Sequence, residues 1–205
     1  MKRTLDVVAA LCGCLVFAIP LFMVGLAVKL TSPGPVVYWS QRVGRGNRLF
    51  WMPKFRTMRV NAPQLATHLL QNSDSWMTPI GRFLRTTSLD ELPQLWSILR
   101  GDMSLVGPRP ALFNQADLIT LRTEKGVSKL VPGLTGWAQV NGRDELTIPE
   151  KVELDAHYLQ HRSFALDVKI LVLTAVKVFR REGVVQAGEE QFRRGRTDGA
   201  NRTAA

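Results

Sequence analysis

From Val7 to Val28 the chain carries no charged residue. At about 22 residues, that apolar run is long enough to cross a ~30 Å hydrocarbon core. Lys2 and Arg3 precede it, while Lys29, Arg42, Arg45, Arg48, Lys54, Arg56 and Arg59 follow. Positive residues mark the cytoplasmic side of a bilayer, and here both flanks carry them. Pro20 sits inside the run without an N–H to bond back along the helix. It divides the run into pieces of about 13 and 8 residues, or ~20 Å and ~12 Å at 1.5 Å per residue, and neither piece spans the core. The pattern predicts a Pro-broken re-entrant helix. A plain spanning helix is the alternative, because proline is tolerated in spanning helices. A secretory signal peptide fits poorly: the run before Cys14 is short for an h-region and continues well past it.

Beyond Thr31-Ser32-Pro33-Gly34-Pro35 the pattern changes. Val36-Val37-Tyr38-Trp39 and Leu49-Phe50-Trp51-Met52 read as two strands around a basic, glycine-containing turn, predicting a small β-hairpin. Pro79 to Thr86 predicts a short helix with Ile80, Phe83 and Leu84 on one side. A second helix is expected from Ser88, with Leu92, Leu95, Trp96, Ile98 and Leu99 as its stripe. Asp155 to Arg162 reads as helix, and Asp167 to Glu182 as a longer one. The latter's apolar positions include Val168, Leu171, Val172, Ala175, Val176 and Phe179, with Lys169, Lys177, Arg180 and Arg181 adding positive charge. Such a basic amphipathic helix suits either an anionic lipid interface or a core edge; the N-terminal run favours the interface. The fold class expected is α+β and mainly helical, with amphipathic interfacial helices around one core.

The chain has 205 residues with a formal net charge of +10, so an anionic partner is expected: nucleic acid, lipid headgroup or nucleotide phosphate. Cys12 and Cys14 lie too close for a useful disulfide and complete no zinc set. His157 and His161 have helical spacing but no evident third ligand.

The candidate chemistry lies in Ser88-Leu89-Asp90-Glu91-Leu92-Pro93-Gln94-Leu95. One carboxylate can act as nucleophile while its neighbour holds a hard cation such as Mg²⁺. The competing structural reading is a capping box, Ser followed three residues later by Glu at a helix start. Arg82 and Arg85 lie one turn apart just upstream. In Gly107-Pro108-Arg109-Pro110, two prolines restrict the backbone around an arginine able to bind phosphate with parallel hydrogen bonds. Pro132 to Arg143 adds Trp137, Gln139, Asn141 and Arg143, groups able to stack on or hydrogen-bond a sugar or base. A basic nucleic-acid-binding protein or a non-catalytic scaffold would not require the acid pair between arginines, so the chain reads as an enzyme.

Four strings in order carry a resemblance: Lys54-Phe55-Arg56-Thr57-Met58, the Ser88–Leu95 string, Gly101 to Pro110, and Pro132 to Arg143. Through them the chain resembles the bacterial sugar transferases, the monotopic phosphoglycosyl transferases that begin undecaprenyl-linked glycan synthesis. The resemblance covers roughly Lys2 to Glu182. It implies attack by Asp90 on the sugar-bearing phosphate of a UDP-sugar, release of UMP, and transfer of the sugar-phosphate to undecaprenyl phosphate. Glu91 matches the residue associated with Mg²⁺, while Arg85, Arg109 and Arg143 match phosphate and nucleotide contacts. Partners implied are the UDP-sugar, undecaprenyl phosphate and membrane lipids, with no nucleic acid, and a homo-oligomer is compatible with the pattern. The implied location is the bacterial inner membrane, with the catalytic part facing the cytoplasm. Expected units are 1–30 membrane-inserted, 31–182 catalytic and 183–205 a mobile tail, a minimal form without additional spanning helices. One departure is Ile19 before Pro20, where many members place a Ser whose hydroxyl can satisfy a freed carbonyl.

Overall fold

Two helices separated at Phe17 open the fold: α1 (Lys2–Val16) and α2 (Ala18–Thr31), bent by 62°. The computed structural model describes residues 2–63, 73–142 and 146–180. No single helix among them is long and apolar enough to cross a membrane. The sequence places the break at Pro20, whereas the structure places it three residues earlier. Pro20 lies in the first turn of α2, where its missing N–H would have bonded back to Val16. The helical ladder opens at that carbonyl and resumes with Leu21 N donating to Phe17 O at 2.8 Å.

Both ends of the bent pair land on the same body. At the start of α1, Lys2 Nζ meets Asp167 at 2.5 Å, and Arg3 donates to the carbonyls of Ile98 and Leu99. The buried Asp6 carboxylate accepts from Ser104 Oγ at 2.8 Å and Leu105 N at 3.1 Å. At the far end, Val24 and Val28 pack on Phe55 and Leu84, and Ser32 accepts from Arg56 at 2.9 Å. Around the bend the apolar side chains face outward, with Leu15 at 79% and Ile19 at 76% exposure.

The predicted hairpin is present as β1 (Val37–Val43) and β2 (Leu49–Phe55), antiparallel with Val37 opposite Phe55 and Val43 opposite Leu49. A short helix α3 (Gly81–Thr86) follows. The segment from Leu89 to Gln94 is 3₁₀ rather than α, and regular helix begins only at α4 (Leu95–Arg100). Of the expected stripe, Leu95 and Ile98 are buried, while Trp96 is exposed.

Next come β3 (Ser104–Val106), α5 (Ala116–Glu124), β4 (Gly133–Thr135) and α6 (Trp137–Val140). β3 and β4 form a short parallel pair that the sequence pattern did not announce. It explains why two glycine-rich strings recur in this chain. A Cβ on Gly133 would lie 2.1 Å from Gly107 N, and one on Gly136 would lie 2.1 Å from Gly107 O. Only glycine lets those backbones approach so closely.

The chain ends in α7 (Ile148–His161) and α8 (Phe164–Arg180). α7 starts seven residues before the position read from sequence, because Thr147 and Glu150 form a capping box with Pro149 in the first turn. In α8, Ile170 is fully buried with Val106, Leu130, Val140 and Tyr158. Most of the stripe expected there faces outward instead: Val168, Leu171, Val172 and Val176 are all exposed.

Candidate active site

Two backbone features bring the acid pair to one place. Ser88 adopts a left-handed conformation, φ 57°, a geometry costing a non-glycine residue roughly 1–2 kcal/mol. Its side chain caps nothing, so the capping-box reading fails at this position. The chain then tightens into the 3₁₀ turn, which accommodates Pro93 and directs Asp90 inward. Asp90 is 7% exposed, and Glu91 beside it is half-buried.

Glu91 joins two cations from separate elements. Lys54, from β2, places Nζ 3.0 Å from Oε1. Arg109 donates from Nη2 to the same oxygen at 2.6 Å and from Nη1 to Oε2 at 3.4 Å. Arg85 turns toward this site and donates from Nε to Thr57 Oγ1 at 2.9 Å, whereas Arg82 lies on the exposed face of α3. Arg143 and the residues beyond Arg180 lie outside the described residues.

These charges act on Asp90 in opposing directions. Burial pushes its carboxyl above the usual carboxylate range, and Glu91 adds to that; Lys54, Arg85 and Arg109 pull it back. Burial likewise lowers Lys54, opposed by Glu91. Arg42 is lowered to about 10, first by burial and then by Arg109, and so remains charged at neutral pH.

Arg109 is held through its backbone as well as its side chain. Arg122 Nη1 donates to the Arg109 carbonyl at 2.7 Å, and Arg42 Nη1 to the Pro110 carbonyl at 3.2 Å. Arg122 is itself fixed by Asp155, with Nε and Nη2 on Oδ2 at 3.0 and 2.6 Å. Burial pushes Asp155 up while Arg122 opposes it; Asp155 is only 1% exposed. The prolines around Arg109 thus combine with two arginine-held carbonyls to fix the guanidinium.

A cavity of about 350 Å³ opens beside the pair. Ser88, Glu91 and Arg109 line its polar end, and its other walls are mainly apolar, from Gly13 and Phe17 near the bend to Leu171 and Val178 of α8. Asp90 does not itself line this space; the residues on either side of the Leu89–Asp90 step do.

Among the described residues no group of three or more His, Cys, Asp or Glu is placed to hold a metal. His157 and His161 instead stack with Trp137, ring centroids 5.6 and 4.2 Å apart in succession. A Mg²⁺ ion needs only one or two carboxylates when substrate phosphates complete its shell. Glu91 fits that requirement in kind: it is a carboxylate that lines the cavity where substrate phosphates would complete the shell.

The family model described as "Bacterial sugar transferase" matches residues 1–181. The chain is 41% identical over 189 residues to a Bacillus subtilis protein named uncharacterized sugar transferase EpsL, covering 91% of each. It is 39% identical over 199 residues to the undecaprenyl-phosphate galactose phosphotransferase of Salmonella typhimurium, covering 89% of this chain and 41% of that protein. It is 41% identical over 187 residues to the UDP-glucose:undecaprenyl-phosphate glucose-1-phosphate transferase of Escherichia coli, covering 87% of this chain and 40% of that protein. The chain thus spans nearly the whole of the first relative but well under half the length of the other two.

Proposed function

This chain belongs to the bacterial sugar transferase family, and from that premise we propose that it transfers sugar-1-phosphate from a UDP-sugar to undecaprenyl phosphate. The observation that carries the reading is a buried carboxylate, Asp90, under the influence of three cations, beside a cavity reaching from the acid pair to the bent helices. In the first step an Asp90 carboxylate oxygen attacks the sugar-bearing phosphorus. The bond from that phosphorus to the bridging oxygen breaks, and UMP leaves with the electron pair. In the second step a phosphate oxygen of the acceptor attacks the same phosphorus. The Asp90 carboxylate is released, and the product is a lipid diphosphate sugar.

Anion attacking anion requires positive charge in place beforehand. Arg85 and Arg109 supply it from the described residues, with Arg143 a further candidate on the following string. Glu91 positions Lys54 and Arg109. When bound, Mg²⁺ held by Glu91 and the donor diphosphate would neutralise phosphate charge as a Lewis acid.

The bent α1–α2 pair serves as a re-entrant anchor in this reading. A span would separate its two ends by the thickness of the bilayer, yet Lys2 and Ser32 both bond to the same body. The exposed apolar residues at the bend would then sit in the hydrocarbon, and the exposed face of α8 would lie on the cytoplasmic surface among anionic lipids. The acceptor's phosphate would reach the acid pair without leaving the interface, as the first membrane step of a surface glycan.

The test is UMP release over a panel of UDP-sugars with undecaprenyl phosphate and Mg²⁺. One donor is expected to give acceptor-dependent turnover; no UMP from any donor contradicts the proposal. The pH profile offers a second check. Asp90 must be ionised to attack, so the rate is expected to fall as pH drops through its pKa. Because burial raises that pKa, the fall begins at higher pH than for an exposed aspartate. Lys54 is the largest influence favouring the ionised form, so Lys54→Met is expected to move this limb further upward. An unmoved limb in kcat/KM counts against that role for Lys54.

A further inference from the structure

We propose that the cavity between α1 and α8 receives the phosphate end of the polyprenyl acceptor, with the Lys177 ammonium as its counter-cation. The proposal rests on the transferase reading above and adds a residue that reading does not use. Lys177 lies in the last turn of α8, is half-buried, and lines the ~350 Å³ cavity. Among the described residues it has no hydrogen-bond or ion-pair partner, unlike Lys2 with Asp167, Lys54 with Glu91 and Lys125 with Glu153. A ligand phosphate in the cavity would give this ammonium a charge-assisted hydrogen-bond partner.

The rest of the lining narrows the ligand's chemistry. Apolar side chains dominate, from Phe17 at the helix break to Leu171, six residues before Lys177 on α8, and Val178, directly after it. Glu91 and Arg109 line the same cavity. A ligand suited to both features carries a phosphate on a hydrocarbon tail and arrives laterally, from the side where α1 and α2 expose their apolar residues. A nucleotide or a free sugar has no tail to cover those walls. Lys177 would donate hydrogen bonds to a non-attacking phosphate oxygen and would transfer no proton. The attacking oxygen forms the new bond to phosphorus while the Asp90 carboxylate departs with its electron pair.

The experiment uses the whole protein in phosphatidylcholine nanodiscs, titrated separately with undecaprenyl phosphate, undecaprenol and phosphatidylglycerol. Retained lipid is read by native mass spectrometry. The wild type is expected to prefer undecaprenyl phosphate over the alcohol. Lys177→Met is expected to weaken that preference about tenfold, the size of one charge-assisted contact, and Lys177→Arg to restore it. A Met variant that keeps the preference overturns the proposal. So does an equal loss of phosphatidylglycerol retention, which would make Lys177 a contact for bilayer headgroups at large. Lipid retention is read without turnover, so it stands or falls separately from UMP release: a chain that retains the lipid through Lys177 but never releases UMP sinks only the transferase reading.

Discussion

Asp90→Asn is expected to abolish turnover, with a loss on the order of 10⁴-fold or more, while the protein still folds. A reaction that runs through a covalent intermediate loses nearly all its rate when the nucleophile is removed. The amide has almost the shape of the carboxylate but cannot form the phosphoryl ester. Stability should suffer little, because burial already disfavours the charged form at this position. A thermal melt close to wild type alongside lost UMP release is the expected pair of results. Substantial residual turnover would remove Asp90 from the nucleophile's role.

Glu91→Gln is expected to be the second most damaging change, costing about 10²–10³-fold in kcat, the usual size for one group acting on transition-state charge. Glu91 receives Lys54 and Arg109 at 3.0 and 2.6 Å, so neutralising it releases both cations from their shared oxygen. Unlike Asp90→Asn, this substitution should also lower the melting temperature, since Lys54 is left largely enclosed with a weaker partner. If Glu91 also holds Mg²⁺, the variant should need more of the ion to reach its own maximal rate. Wild-type kcat and an unchanged Mg²⁺ requirement would show that Glu91 serves the fold alone.

The two substitutions separate what was legible in the sequence from what was not. The hairpin could be read because alternating strand residues flank a glycine-containing turn, a local signal. The acid pair, Arg85 and Arg109 could be named from their strings, but the distances between them could not. Lys54 stands in one of those strings without any mark of its own. Only the packing of β2 against the 3₁₀ turn brings it to Glu91. Arg122 and Asp155 carry no local signal, because their pairing needs α5 and α7 to pack across 33 residues of chain. Asp6, just before the apolar run, carries no local signal either, yet it is tied to β3 across 98 residues.

Two local signals pointed elsewhere. The Ser–x–x–Glu spacing at Ser88 competes with a left-handed turn that aims Asp90 inward, and the turn prevails. The working capping box lies at Thr147, where the stretch before Asp155 had given no helix reading. On α8 the apolar stripe was visible, but periodicity cannot say which solvent it faces. The structure directs most of it outward and buries Ile170 instead.

The most direct measurement is intact-protein mass spectrometry of the wild type, quenched after mixing with its UDP-sugar and Mg²⁺ but no acceptor. The mass is expected to rise by one sugar-phosphate, located on the tryptic peptide from Thr86 to Arg100 and absent in Asp90→Asn. An unmodified protein from a preparation that turns over with acceptor present, or an adduct on any other peptide, would contradict the central claim.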